Sequence, residues 1–187
     1  MLNWIKMNLS KEDWDLAYKY AEIEMENAKG NPIFQTESAL NDHVVGHIGQ
    51  IKFDEWLTSQ NIPHLYINDL NGIGDKGRDF VIGNHTIDVK TAESDRPIEM
   101  IGDNYMMFIA KQQYDKHPNV NSFFHIQVDP ERVELYLIGS IDYSCVRIFP
   151  VKQYRNNINP AYNIPLICLI PPLTWLNEIK DLLRIGF

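Results

Sequence analysis

The stretch Arg78-Asp79-Phe80-Val81-Ile82-Gly83-Asn84-His85-Thr86-Ile87-Asp88-Val89-Lys90 holds two apolar-rich runs divided by Gly-Asn. Gly83-Asn84 is a two-residue hairpin signal, so residues 78–82 and 85–90 are expected as antiparallel strands. Strand side chains alternate, so Asp88 and Lys90 project from one face while Val89 points the other way, into a core. A hairpin also brings the start of its first strand beside the end of its second, which sets Asp79 near Asp88. Two carboxylates and an ammonium then crowd one sheet edge. Hard oxygen donors of this kind suit Mg²⁺ or Mn²⁺, with the Val89 carbonyl as a further candidate ligand. Lys90 would stand by an attacking water, either helping to deprotonate it or stabilising charge that builds on a phosphate. An isolated D-x-K is more simply a same-face ion pair on a solvated sheet. The D-x8-D-x-K spacing, the apolar residues Phe80, Val81, Ile87 and Val89, and the Gly-rich loop 68–77 ahead of them favour a site.

Working outward, Ser10 followed by Asp13 resembles a capping box with a shortened acid. Trp14, Ala17, Ala21, Met25 and Ala28 then recur at helical spacing up to Lys29-Gly30, and Asn31-Pro32 breaks the chain. A second helix is expected over 37–60, with Leu40, Val44, Ile48 and Ile51 as its apolar stripe, extended by Trp56 and Leu57. Residues 64–67 read as a strand. Beyond the hairpin, 91–104 is a polar loop, 105–110 a strand, 111–117 a short helix or turn, and 122–128 and 133–138 strands on either side of Asp129-Pro130. A last helix is expected over 173–183. Helices, then a run of strands, then a mixed tail describe an α+β or α/β domain built on a mixed sheet.

At 187 residues the chain is read as one domain, long enough to bury roughly 70% of its unfolded surface. With 17 Lys plus Arg against 25 Asp plus Glu, its net charge of -8 excludes wrapping nucleic acid by bulk charge. Such binding needs a local basic face or metal ions. The two cysteines, Cys145 and Cys168, form no CxxC pair, which argues against a local thiolate zinc or iron-sulfur motif and suits a reducing compartment. The N-terminus lacks the apolar core of a secretory signal, and the apolar stretch 164–173 holds three prolines. The expectation is a soluble cytoplasmic protein with no membrane partner. The chain has no P-loop and no GxSxG.

Asp79 with Asp88-Val89-Lys90 resembles the signature of the PD-(D/E)XK nuclease superfamily, the restriction-endonuclease-like fold. The helix ahead of the hairpin carries Gly46-His47-Ile48-Gly49-Gln50-Ile51-Lys52-Phe53, similar to the family's G-x-x-G-E-x-x-F. Residues 106–110, Gln112 or Gln113, 123–128 and 133–139 follow the family's order of strand, glutamine-bearing turn and two further strands. The likeness covers roughly residues 37–141. It divides the domain into an N-terminal helical extension (1–36), a core (37–141) and a C-terminal extension (142–187). It implies a central mixed sheet flanked by helices and metal-dependent hydrolysis of phosphodiester bonds in DNA by an endonuclease, a homodimer if both strands of a duplex are cut. Asp79 and Asp88, with Val89, would be metal ligands, Lys90 the catalytic lysine, and Mg²⁺ or Mn²⁺ the cofactor. One residue departs: Gln50 stands where the family has glutamate, leaving two carboxylates where three are usual. The alternative is a catalytically inactive relative that binds nucleic acid or serves as an interaction module.

Two further groups stand out. His43, His47, Gln50 and Asp54 share one polar stripe of the second helix, expected to face the cleft with Gln50 in or next to the metal's ligand shell. His43-x3-His47 also has a spacing that can hold zinc, the lesser option. Arg147, Lys152 and Arg155 fall in a segment with no acid between them, interleaved with Gln153, Tyr154, Asn156 and Asn157. They are candidate phosphate contacts, balanced against an ordinary solvated loop. Lys111 and Gln113, with Gln112 and Lys116, are a weaker set of the same kind. Tyr114 and Trp175 read as packing residues.

Overall fold

The capping box at the start of helix α1 (Lys11–Asn27) closes in both directions. The Ser10 N–H donates to Asp13 Oδ2 at 2.8 Å, and the Asp13 N–H donates to Ser10 Oγ at 3.1 Å. Asp13 therefore does the work of the usual glutamate. The computed structural model describes residues 3–27, 37–68, 77–94, 96–101, 105–153 and 159–186. Helix α2 (Glu37–Ser59) packs along α1. Lys52 of α2, only 5% exposed, reaches Asp13 at 3.4 Å and pairs with Glu55, so a buried ammonium ties the start of α1 to α2. Asn61, at φ 55°, turns the chain out of α2.

The strands are β1 (Ile5–Asn8), β2 (Leu65–Tyr66), β3 (Phe80–Ile82), β4 (His85–Glu93), β5 (Met106–Ala110), β6 (Ser122–Asp129), β7 (Glu134–Asp142), β8 (Val151–Lys152) and β9 (Ala161–Pro165). Short helices α3 (Lys111–Lys116) and α4 (Tyr143–Val146) and the final helix α5 (Pro172–Arg184) complete the set. Six strands form one sheet in the order β1-β7-β6-β4-β3-β2. Strands β2, β3 and β4 run antiparallel in sequence, β6 lies parallel to β4, and β7 and β1 continue antiparallel. The parallel β4–β6 pair demands a crossover, and the chain makes it through β5 and α3. The sheet is mixed, as the pattern of elements implies, and it is flanked by helices.

Alternation sorts the two faces. Ile87 and Val89 of β4, Phe124, Ile126 and Val128 of β6, and Leu135 and Leu137 of β7 join α1, α2 and α5 in one core. Phe53 is its hub, in ring contact with Trp56, Phe80, Phe124 and Trp175. Phe123, Tyr136, Ile138 and Ile141 turn to the opposite face and pack with Tyr114, Val146 and the β5–β9–β8 sheet. The glycine that matters for closeness is Gly49: a Cβ there would lie 1.8 Å from Thr91 Oγ1, so α2 lies almost against β4.

Several features depart from the sequence reading. Strand β4 runs on to Glu93, into the stretch 91–104 expected as a loop. Strand β1 draws residues of the first segment into the main sheet, pairing Ile5 with Leu137. Strand β5 leaves the main sheet and pairs with β9 in a second sheet of three strands. The mixed tail beyond 142 holds more than turns and a last helix, because it also supplies α4, β8 and β9. Loop 69–76, Asn31-Pro32, Tyr154, Arg155, Asn156 and Asn157 lie outside the described residues. No helix among the described residues is long and apolar enough to cross a membrane.

Candidate active site

The β3–β4 hairpin positions the site. Gly83, at φ 58°, supplies the left-handed turn, and the register pairs Phe80 with Ile87 and Ile82 with His85. Asp79 sits just before β3, with its backbone fixed on both sides. Its N–H donates to Ile87 O at 2.9 Å, and its carbonyl accepts from the Ile67 N–H at 2.7 Å. The carboxylate is 4% exposed: Oδ2 accepts the Val89 N–H at 2.6 Å, and Oδ1 accepts Gln50 Nε2 at 2.9 Å. Asp88, 3% exposed, projects with Lys90 from the face opposite Val89. Lys90 Nζ lies 2.7 Å from Asp88 Oδ1 and 6.0 Å from the centroid of the Phe123 ring.

These groups line one cleft of about 190 Å³ together with Gly77, Gln113 and His117. Gln50, Asp79, Asp88, Val89, Lys90 and Gln113 are thus brought together from α2, the hairpin and α3. Behind Lys90, His125 Nδ1 lies 3.0 Å from the Lys90 carbonyl. Burial pushes the His125 pKa down to about 4, so the ring is neutral near pH 7 and donates from Nδ1 to that carbonyl. The tie pins the backbone of β4 where Lys90 leaves it.

Two residues escape the sequence reading, Tyr66 behind Gln50 and His117 in the cleft lining. Tyr66 of β2 donates its hydroxyl to Gln50 Oε1 at 3.1 Å, while its ring stacks on Phe80 with centroids 4.8 Å apart. Burial first, and then the charge of Asp79, push its phenol pKa upward. His117 follows Gln113 by one helical turn, a spacing that is a usable signal for a shared face. Its ring packs against Gly77, whose positive φ of 73° and missing Cβ make room for it.

The polar stripe of α2 divides, contrary to the expectation that all of it faces the cleft. Gln50 does so. His43 Nδ1 and His47 Nε2 each lie 3.0 Å from Glu24 Oε2 of α1, and Asp54 Oδ1 lies 2.8 Å from His64 Nε2. Hydrogen bonds from His43 and then His47 hold the Glu24 carboxyl down at a pKa of about 2, and the bond to Glu24 raises that of His43. These residues clamp α1 to α2. Among the described residues, no group of three or more His, Cys, Asp or Glu side chains is arranged to hold a metal ion, zinc included. At the cleft, Gln50 leaves Asp79 and Asp88 as the two carboxylates.

The basic candidates gather at the end of the small sheet. Ala161 of β9 pairs with Ala110 on one side and Lys152 on the other, so Lys111 and Lys152 stand at the same end. Arg147 lies 5.4 Å over the Tyr114 ring and close enough to repel Lys111. Lys111 also pairs with Asp115. Arg147 and Lys152 are exposed, in α4's C-terminal cap and β8 rather than in a loop. Tyr114 and Trp175 are buried packing residues. No protein-family profile, curated protein or solved structure matches the chain.

The donor set fits a hard divalent cation in kind: two buried carboxylates lining a polar cleft open enough for water and a phosphate. In the geometry described, both carboxylates already carry substitutes for a cation. The Lys90 ammonium serves Asp88, and the Gln50 and Val89 N–H groups serve Asp79.

Proposed function

We propose that the chain is a Mg²⁺- or Mn²⁺-dependent nuclease of the restriction-endonuclease-like fold that hydrolyses phosphodiester bonds in DNA. The observation that carries the reading is the convergence of Asp79, Asp88, Lys90 and Gln50 on one polar cleft at the hairpin. The surrounding order supports it: a helix bearing Gln50, an antiparallel hairpin, a glutamine-bearing helix, then β6 parallel to β4 and β7 beyond it. Asp79 and Asp88 would hold the cation, which would supply Lewis-acid polarisation and a lowered water pKa. Lys90, as an ammonium on the same face, offsets negative charge building on the phosphate. Gln113 and His117 line the same cleft, where a substrate strand would meet them. Arg147, Lys152 and Lys111 are candidate phosphate contacts outside the cleft, with Arg155 among the residues not described.

One observation favours a second reading, an inactive relative that still binds nucleic acid. The Gln50 and Lys90 contacts satisfy both carboxylates without a cation. One experiment separates the two: incubation of the purified chain with supercoiled, linear and single-stranded DNA in Mg²⁺, Mn²⁺ or EDTA. The nuclease reading expects cleavage with either ion and none in EDTA. Retained DNA binding without cleavage in any condition selects the second reading.

A further inference from the structure

Gln50 looks like a lost ligand when compared with glutamate, but its two hydrogen bonds give it another capacity. An ionised carboxylate can only accept, so the end of the amide that meets Asp79 Oδ1 at 2.9 Å must be the NH₂. The other end, Oε1, accepts the Tyr66 hydroxyl at 3.1 Å. A hydroxyl both donates and accepts, so the same Tyr66 oxygen would serve equally if the amide were reversed. The carbonyl would then face Asp79, and two oxygens would repel unless a cation lay between them. Which end of the amide faces Asp79 is therefore set by the charge in the cleft.

The frame around this amide is fixed. The Tyr66 ring stacks on Phe80 at an interplanar angle of 8°, and Tyr66 pairs with Phe80 in the β2–β3 register. The backbone of Asp79 is held by Ile67 and Ile87, and α2 is pressed on β4 at Gly49. The reversal needs rotation about the terminal side-chain bond of Gln50 alone, a broad two-fold torsion. A glutamate has no N–H to offer Asp79 and could not act this way.

We infer that Gln50 is a reversible ligand whose amide turns its oxygen toward a divalent cation when one binds Asp79 and Asp88, with Tyr66 as the positioning residue that holds the amide in either orientation. This rests on the reading of Asp79 and Asp88 as metal carboxylates. In the cation-free chain the amide N–H donates a hydrogen bond to Asp79 and keeps the site assembled. With the cation in place the same side chain completes the oxygen donors and hands its N–H to Tyr66.

The test is a Mg²⁺ titration of the full chain, isotope-labelled and followed by NMR. The Asp79 and Asp88 carboxyl carbons report arrival of the ion. The Gln50 side-chain NH₂ pair, assigned by its loss in Gln50→Glu, reports the amide. Both are expected to move with one midpoint, because the N–H exchanges a carboxylate acceptor for a phenol. Tyr66→Phe, which removes one oxygen, leaves the turned N–H unpaired. A buried unpaired N–H costs more than an under-satisfied carbonyl, so the variant should weaken Mg²⁺ binding by about three- to tenfold. In the Gln50→Glu background it should have no such effect, since a carboxylate has no N–H to place. If the carboxyl carbons respond while the Gln50 NH₂ pair stays still, the amide does not turn; this inference falls and the metal site stands. If Tyr66→Phe weakens binding equally in both backgrounds, Tyr66 is merely structural and its positioning role falls. If neither signal moves at millimolar Mg²⁺, the metal site falls as well.

Discussion

Replacing Asp88 by Asn separates a metal ligand from half of an ordinary ion pair. Asn keeps the shape of the side chain and removes its charge, in a position 3% exposed and 2.7 Å from Lys90 Nζ. Without any divalent ion the variant keeps a hydrogen bond to Lys90 but loses its ionic character. Hydrogen bonds to charged groups contribute about 1.5–3 kcal/mol and neutral ones about 1 kcal/mol. The loss is therefore about 1 kcal/mol, or about 2–4 °C in Tm for a domain of this size. A cation that binds the folded state alone stabilises it by RT ln(1 + [L]/Kd), about 1.4 kcal/mol at ten times Kd. In wild type, Mg²⁺ should thus raise Tm by about 3–6 °C. In Asp88→Asn the rise should vanish. Thermal unfolding followed by far-UV circular dichroism, in EDTA and across a Mg²⁺ series, reads both quantities. A variant that starts lower and then rises with Mg²⁺ as wild type does would show that Asp88 serves only Lys90.

Lys90→Ala should leave the Mg²⁺-dependent rise in Tm intact while slowing single-turnover cleavage by 100-fold or more, on the order of what one preorganised charge-stabilising donor contributes; an unchanged rate removes Lys90 from the chemistry. Gly49→Ala should destabilise by about 1–3 kcal/mol in urea unfolding, because its Cβ meets Thr91 Oγ1 at 1.8 Å, and Thr91→Ala in the same chain should recover part of the loss. Glu24→Gln tests the clamp between α1 and α2. The Glu24 pKa is lowered, so its contribution is present above its ordinary pKa of 4.5 and is lost as pH falls toward 2. The His43 pKa is raised, so its share is complete below 6.5 and fades as pH climbs through the higher folded value. Since Glu24 is partly exposed, the variant should cost about 0.5–1 kcal/mol near pH 5.5 and less near pH 8.5. Urea titrations at the two pH values check it, and an equal loss at both would assign the effect to packing.

The hairpin was legible because everything that defines it is local: a two-residue turn, alternation on both sides, and charged residues at the open end. The long helices were legible from periodicity and from the Ser10–Asp13 cap. What was hidden depends on partners distant in sequence. Strand β1 has four residues and acquires its meaning only from pairing with β7, over a hundred residues away. Strand β5 reads as a strand, but nothing within it says that it joins β9 and not the main sheet. In the site, Asp79, Asp88 and Lys90 follow from spacing, whereas Tyr66 enters through the β2–β3 pairing and the position of α2 above it. The α2 stripe shows the limit of periodicity. It puts His43, His47, Gln50 and Asp54 on one helix face, but Glu24 of α1 and His64 after Pro63 capture all of them except Gln50.

Anomalous diffraction from crystals of the chain soaked in Mn²⁺ addresses the metal most directly, since it locates the ion and not its consequences. The account predicts a peak between the carboxylates of Asp79 and Asp88, within 2.0–2.3 Å (about the range for such ions) of an oxygen of each, and no peak there in Asp88→Asn. Fully soaked wild-type crystals with no peak in that cleft, and with Lys90 still bonded to Asp88, would contradict it.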